Sequence, residues 1–176
     1  MKQDEIKKYL PAVFQRTAHK ENLLATLLGV MEILQEPAET VLADVDRFFD
    51  ARRAPDEFVP FLAHWVNIDR IFPPNVTLEL DSPLLPKIGY LRELVADAIY
   101  LSQWRGTKKG LLLFLQTATG AEGFEIEERV KDNEGEIKPF HLKIRAPKAT
   151  EALAELIKRI IESEKPAHLT YELEFF

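Results

Sequence analysis

The chain has 176 residues, 46% hydrophobic and 30% charged, with a formal net charge of −6, the balance of a globular protein with one ordinary domain or two small lobes. Excess acid argues against general affinity for nucleic acid or an anionic membrane, both of which depend on clustered Lys and Arg. With no Cys in the chain, a disulfide framework, a thiolate zinc site and a cysteine nucleophile are excluded, and synthesis in the cytoplasm is expected.

The opening residues, Met1 to Phe14, are charged and hold no apolar run of the kind a signal peptide requires, so export by that route is not expected. No window approaches the ~18 uninterrupted apolar residues that span a bilayer. From Leu24 to Phe48 the apolar residues step alternately by three and four: Leu24, Leu27, Met31, Leu34, Ala38, Val41, Val45, Phe48. That is a heptad seam, which keeps one stripe of a helix spanning about residues 21–49 against a partner helix. Leu23, Leu28, Val30, Leu42 and Phe49 widen it and favour a bundle of three or more helices. Spacing alone leaves open whether the stripe packs on its own domain or on another chain. Pro37 predicts a kink, or a restart with Pro37 in the first turn of a second helix.

After Ala54-Pro55 a short amphipathic helix is expected over 56–66, with Asp56 as its cap and Phe58, Leu62, Trp65 and Val66 on one face. Residues 72–86 carry four prolines and read as an irregular connection. A helix over 87–104 follows, then QWRGTKKGLL at 103–112, then a helix over 107–119. In that stretch Gly106 is expected to end one helix in a left-handed conformation, Thr107 to cap the next, and Gly110 to permit close packing of its first turn. A phosphate cradle is the competing reading, since free N–H groups at a helix start bind anions and Lys108 and Lys109 add charge. The P-loop spacing is absent, however, and the preceding segment is helical rather than a buried strand. Lys108 and Lys109 oppose the helix dipole where they stand, which points to an acidic surface on a neighbouring subunit.

The period changes after Gly120. Phe124 and Ile126 alternate with Glu125 and Glu127, and beyond a turn at 131–135 Phe140, Leu142 and Ile144 alternate with His141, Lys143 and Arg145, predicting a hairpin with acidic and basic strands. Thr150 is expected to cap a helix with the stripe Leu153, Leu156, Ile157, Ile160, Ile161, and the chain ends in a strand with Leu169, Tyr171, Leu173 and Phe175 on one face. The fold class is therefore α+β: a mainly helical part at 1–120 and a small strand-strand-helix-strand subdomain at 121–176.

A search for chemistry returns nothing organised. The four histidines, His19, His64, His141 and His168, have no metal-ligand spacing, so His64 reads as a packed or capping side chain and His141 as an outward strand residue. Acidic clusters such as Asp44, Asp46 and Asp50 lack a matched partner and read as solvated surface. Neither G-x-S-x-G nor G-x-G-x-x-G occurs, and no cofactor is implied.

Four stretches in order carry a resemblance: Tyr9-Leu10-Pro11-Ala12-Val13-Phe14; Phe49-Asp50 through Ala54-Pro55 with Phe61-Leu62-Ala63-His64-Trp65-Val66; Trp104-Arg105-Gly106-Thr107-Lys108-Lys109-Gly110-Leu111; and Glu164-Lys165-Pro166-Ala167-His168-Leu169-Thr170-Tyr171. Together the chain resembles the phage tail protein I family of baseplate proteins. It departs from the family at Asp50-Ala51, where Asp-Pro is usual, and over 72–86. The resemblance implies a non-enzymatic wedge component of a contractile tail or phage-like injection particle, made in the cytoplasm and built into the particle's baseplate. Its expected partners are a baseplate J-like wedge protein, joined through a helical core bundle and a trifurcation junction, and neighbouring baseplate or hub subunits, with no nucleic acid and no membrane. Under that reading Leu24, Leu27, Met31, Leu34, Val41, Val45 and Phe48 are bundle contacts, Lys108 and Lys109 meet a neighbour, and Arg105, Gly106, Thr107 and Gly110, like Lys165, Pro166, Ala167 and His168, form structural turns. Gly106 is then a candidate pivot. An unrelated helical adaptor, or an enzyme using the Gly106 turn to hold an anion or nucleotide, are the alternatives.

Overall fold

The computed structural model describes residues 3–17, 22–73, 82, 84–130 and 135–176, with the side chains of residues 3 and 17 excepted. Residues 131–134 of the expected turn, His19 and most of the proline-rich connection lie outside the described residues. Two compact units divide the chain, Met1–Phe48 and Phe49–Phe176.

The first unit contains α1 (Gln3–Lys8), α2 (Ala12–Thr17), α3 (Leu23–Ala43) and α4 (Val45–Phe48). Asp4 and Glu5 begin α1 and Lys7 and Lys8 end it, an order that complements the helix dipole. α1 lies against α3, with Ile6 and Leu28 buried. Gln15 Nε2 donates to the carbonyls of Lys8 at 3.1 Å and Leu10 at 2.7 Å, bracing the Leu10-Pro11 turn. No second helix starts at Pro37. α3 instead runs through it and ends at Ala43, with Asp44 in the C-cap position. Pro37 cannot donate to the Ile33 carbonyl, but both residues are exposed, so water can satisfy that oxygen while helical turns on either side hold the rod.

In the second unit the chain enters a turn in which Ala54 N donates to Asp50 O at 2.8 Å. Arg92 clamps this turn, donating to the carbonyls of Ala51 at 2.6 Å and Ala54 at 2.7 Å and pairing with the Asp56 carboxylate. Asp56 is thus an ion-pair partner rather than a cap: Pro55 occupies the cap position of a 3-10 turn, Asp56–Phe58, that leads into α5 (Val59–Trp65). A second 3-10 turn, Asp69–Ile71, precedes the connection. The single helix expected over 87–104 is broken into α6 (Ile88–Ala96) and α7 (Ala98–Gln103). At the break Asp97 leaves helical geometry with φ −93 and ψ 5, a residue type that favours such departures. On α6, Glu93 pairs with Arg52 at 2.8 Å, and that hydrogen bond holds its carboxyl below the ordinary value.

α8 (Lys108–Thr119) leads to a sheet of β1 (Glu125–Glu127), β2 (His141–Ala146) and β3 (Thr170–Phe175), in the order β1-β2-β3. β1 and β2 are antiparallel, with Glu125 opposite Arg145 and Glu127 opposite Lys143, so the acidic and basic strands face each other as their alternation predicts. β3 runs parallel to β2, from His141 opposite Thr170 to Ala146 opposite Phe175. Parallel neighbours need a crossover, and α9 (Ala154–Glu164) supplies it. Thr150 does not cap α9. It lies in a 3-10 turn, Lys148–Leu153, and its hydroxyl donates back to the Pro147 carbonyl at 2.7 Å. His141 does lie on the outward face of β2, alternating with buried Leu142, but is half-buried there, with Nδ1 2.8 Å from Thr170 Oγ1.

Leu156, Ile157, Ile160 and Ile161 of α9 are fully buried and share one cluster with Val59, Leu94, Phe114, Leu115 and Ile144. Each such side chain contributes about 1.5–3 kcal/mol by leaving water. The change of period at Gly120 therefore marks a change of secondary structure inside a single hydrophobic cluster. Helices on a small mixed sheet make the chain α+β.

Because Pro in a helix interior costs up to about 3 kcal/mol against Ala, Pro37→Ala is expected to stabilise α3 by roughly 1–3 kcal/mol. A higher thermal midpoint with increased helical circular dichroism is the expected reading, and an unchanged midpoint would show that the helix already absorbs the break.

Candidate functional site

Two regions hold the residues singled out by sequence, one in each unit. In the first, the seam of α3 lies open. Leu27 is 55% exposed, Leu34 73% and Val41 50%, while Met31 and Val45 are also exposed and Leu24 and Phe48 half-buried. Leu28, one residue off the seam, is the side chain of α3 that is buried. α1 thus packs beside the seam and leaves it exposed from Leu27 to Val45.

In the second unit, the Trp104 to Leu111 corner and the Glu164 to His168 turn come together. Gly106 takes φ 76 and stands 3.9 Å, measured from an added Cβ, from Pro166 Cγ. Thr107 caps α8, its hydroxyl accepting from Gly110 N at 3.1 Å and donating to Trp104 O at 2.7 Å. Gly110 has no room for a side chain, since a Cβ there would fall 2.0 Å from the Trp104 carbonyl oxygen. Lys109 answers its unfavourable place in the dipole locally: Nζ sits 4.1 Å from the Trp104 ring centre and 5.6 Å from that of Tyr100. Lys108 makes no ion pair among the described residues.

The turn after α9 is fixed by Leu169 N donating to Pro166 O at 3.0 Å. Lys165 Nζ is 3.3 Å from Glu162, Ala167 is exposed, and the His168 ring meets Phe140 edge-on at 5.4 Å. Joining the two motifs is Glu164, a carboxylate with only 4% of its surface exposed. Arg70 donates to Glu164 Oε1 through both Nε, at 3.0 Å, and Nη2. Arg105 donates from Nη2 to Ser163 O at 2.7 Å and holds Nε 3.9 Å from Glu164 Oε2. Arg70 also lies over the Phe114 ring at 5.7 Å and donates to the Asn67 carbonyl. Sequence reasoning missed Glu164 and Arg70. A signal was present, because Glu164 follows Ile160 by four and Ile161 by three and so falls on the buried stripe of α9, where a carboxylate requires a cation.

Between the two motifs lies a small cavity of about 30 Å³, lined in part by Gly106, Thr107, Pro166 and Leu169, with room for ordered water. A wider cleft of about 650 Å³ runs along β1 past Lys108, Lys143 and Arg145, but Lys143 is paired with Glu174 at 2.7 Å and Arg145 with Glu125 at 3.4 Å. His64 is neither packed nor capping; it is exposed, with Nδ1 2.6 Å from Asp69 Oδ2. A third exposed feature is an aromatic row in which Phe49 stacks on Trp65 at 5.6 Å and Phe61 meets Trp65 at 5.0 Å. Among the described residues no group of His, Asp and Glu could hold a metal ion, and no helix is long and apolar enough to cross a membrane. What this arrangement offers is apolar surface and a braced corner, which are means of joining proteins.

The family model described as phage tail protein (Tail_P2_I) matches residues 21–168, taking in both the seam and the two joined turns. The chain belongs to this family of phage tail proteins. Among the curated proteins none matches. Membership gives the chain a structural role in a phage tail, makes it a component of the particle and implies protein partners within the tail. The match begins at Glu21, so the whole exposed stripe of α3 belongs to the tail-protein pattern, as does the Glu164 cluster.

Removing one partner of a buried ion pair costs about 3–5 kcal/mol, since the other charge is left without compensation. Glu164→Ala is therefore expected to lower the stability of the second unit by about 3 kcal/mol in urea unfolding, whereas Thr107→Ala, the loss of a helix cap, should cost about 1 kcal/mol. If the two variants unfold alike, the Arg70 and Arg105 cluster is not what ties the corner to α9.

Proposed function

We propose that this tail protein is a non-enzymatic wedge component of a baseplate, in a contractile tail or phage-like injection particle, made and assembled in the cytoplasm. It joins a baseplate J-like partner by laying α3 into a helical bundle, and its terminal hairpin, helix and strand, within 121–176, belong to the trifurcation-type junction with neighbouring subunits. The observation that carries this reading is the exposure of the α3 seam, with Leu34 73% and Val41 50% accessible on a helix whose spacing suits burial. Apolar stripes of this length on an isolated protein mark a surface covered in an assembly. Lys108, exposed and without an ion pair among the described residues, is the cation best placed to meet an acidic neighbour at the junction.

Leu34→Asp or Val41→Asp places a charge at the centre of the proposed bundle without touching the buried Leu28. Each variant should fold with unchanged helical content yet fail to co-purify with the J-like partner when the two are co-expressed. Normal co-purification of both would remove the bundle reading.

A further inference from the structure

The last strand of the sheet leaves one of its edges open. Thr170 N donates to Phe140 O at 2.9 Å and Phe176 N donates to Ala146 O at 3.1 Å, so the even-numbered residues are the ones that bond the β2 side. Backbone groups alternate between the two sides of a strand, and the register against β2 is unbroken from Thr170 to Phe175. The N–H and C=O groups of Tyr171, Leu173 and Phe175 therefore point away from β2. β3 is last in the strand order, and among the described residues no backbone group bonds to them. Native proteins blunt such edges by shortness, Pro or Lys. The opposite edge, β1, has only three residues, whereas β3 has six, TYELEF, with no Pro, Lys or Arg. Tyr171, Leu173 and Phe175 pack against the hydrophobic cluster but stay half-buried, while Leu142, Ile144 and Ala146 beside them on β2 are buried. The apolar layer is thus less completely covered toward the open edge.

We infer that the open edge of β3 receives one strand of a different polypeptide, apolar on its inward face and cationic opposite Glu172. The inference rests on the reading of the terminal hairpin, helix and strand as part of a junction with neighbouring subunits, and it names the contact. Main-chain hydrogen bonds supply the attachment, and an extended segment presents them at the spacing of Tyr171, Leu173 and Phe175. Its apolar side chains extend the layer that these three residues begin. Charge sets its outward face. Glu174 is already paired with Lys143 at 2.7 Å, but Glu172 is exposed and among the described residues meets only His141 Nε2, 4.0 Å away. A second copy of the chain fits badly. An antiparallel β3 pair centred on Leu173 sets Glu172 opposite Glu174 on both sides, and one centred on Glu172 or Glu174 sets that carboxylate opposite itself. Like charges directly opposite are destabilising, so Lys or Arg from another chain is preferred there.

The test uses the full chain and capped eight-residue peptides that alternate Val with Lys or Val with Glu, followed by amide NMR. A third peptide is the Lys form N-methylated at every residue, which keeps the side chains and removes every backbone donor. In the free chain the amides of Tyr171, Leu173 and Phe175 should exchange with solvent faster than those of Glu172 and Glu174. The Lys peptide should shift and protect those edge amides and bind about fivefold tighter than the Glu peptide, and Glu172→Lys should reverse that order. The N-methylated peptide should not bind. Equal protection of edge and ladder amides in the free chain, no binding of the Lys peptide at millimolar concentration, binding of the N-methylated peptide, shifts centred elsewhere, or an unchanged order in Glu172→Lys would each overturn the inference. The junction reading is tested apart from this by Leu173→Pro, which removes the middle donor of the open edge and no bond to β2. If that variant assembles with the tail partners as the wild-type chain does, the junction reading fails even where the peptide binds.

Discussion

A carboxylate set into a hydrophobic layer has to be neutralised where it stands, and Glu164 imposes that condition on the second unit. Its place on α9 is dictated by the apolar stripe of Ile160 and Ile161, which carries it inward with them. Arg70 reaches it across 94 positions of sequence, and Arg105 anchors to the neighbouring Ser163 carbonyl across 58. Apolar packing alone accepts several arrangements of similar energy, whereas a guanidinium meeting a carboxylate accepts few. The second 3-10 turn, the corner before α8 and the end of α9 are therefore held in one geometry by side chains from three distant segments. β3 begins six residues after Glu164, and its register against β2 starts from the position this cluster fixes.

The first unit is built on the opposite condition. There much of the apolar surface of α3 is exposed, with Leu28 buried by α1 while the seam from Leu27 to Val45 beside it stays open. A helix of this length gains most of its stability from packing its apolar face, and in α3 little of that face is packed within the chain. The helix also accommodates Pro37 and lacks a side-chain cap at Asn22. Both features lower its stability in isolation.

What was legible in the sequence follows rules of short range. The stripe of α9, the charge-paired hairpin strands, the left-handed Gly106 and the Thr107 cap each depend on residues within a turn or two of one another. What was not legible depends on distant partners. Asp56 has the sequence signature of a cap but answers to Arg92, and Thr150 reads as a cap but closes a 3-10 turn against Pro147. His141 looks outward in an alternating strand, yet the parallel neighbour β3 covers it with Thr170. Glu164 was the exception, since its spacing from Ile160 and Ile161 marked it as buried. The alternation of charged residues in its neighbours obscured that mark, and nothing local named Arg70 as its partner.

The same geometry changes what the Gly106 corner can do. A left-handed glycine between two helices is often a place where a chain bends. Here the corner is held on both sides. Arg105 is tied to Ser163 and stands near Glu164, Thr107 spans Trp104 and Gly110, and the backbone of Gly110 packs so close to the Trp104 carbonyl that no side chain fits there. Lys109 adds a cation over the rings of Trp104 and Tyr100. Rotation at Gly106 would break these contacts together, including one that serves a buried carboxylate, so the corner is braced rather than free to bend. Glycine is required there by backbone conformation, and the freedom it ordinarily confers has been removed by what surrounds it.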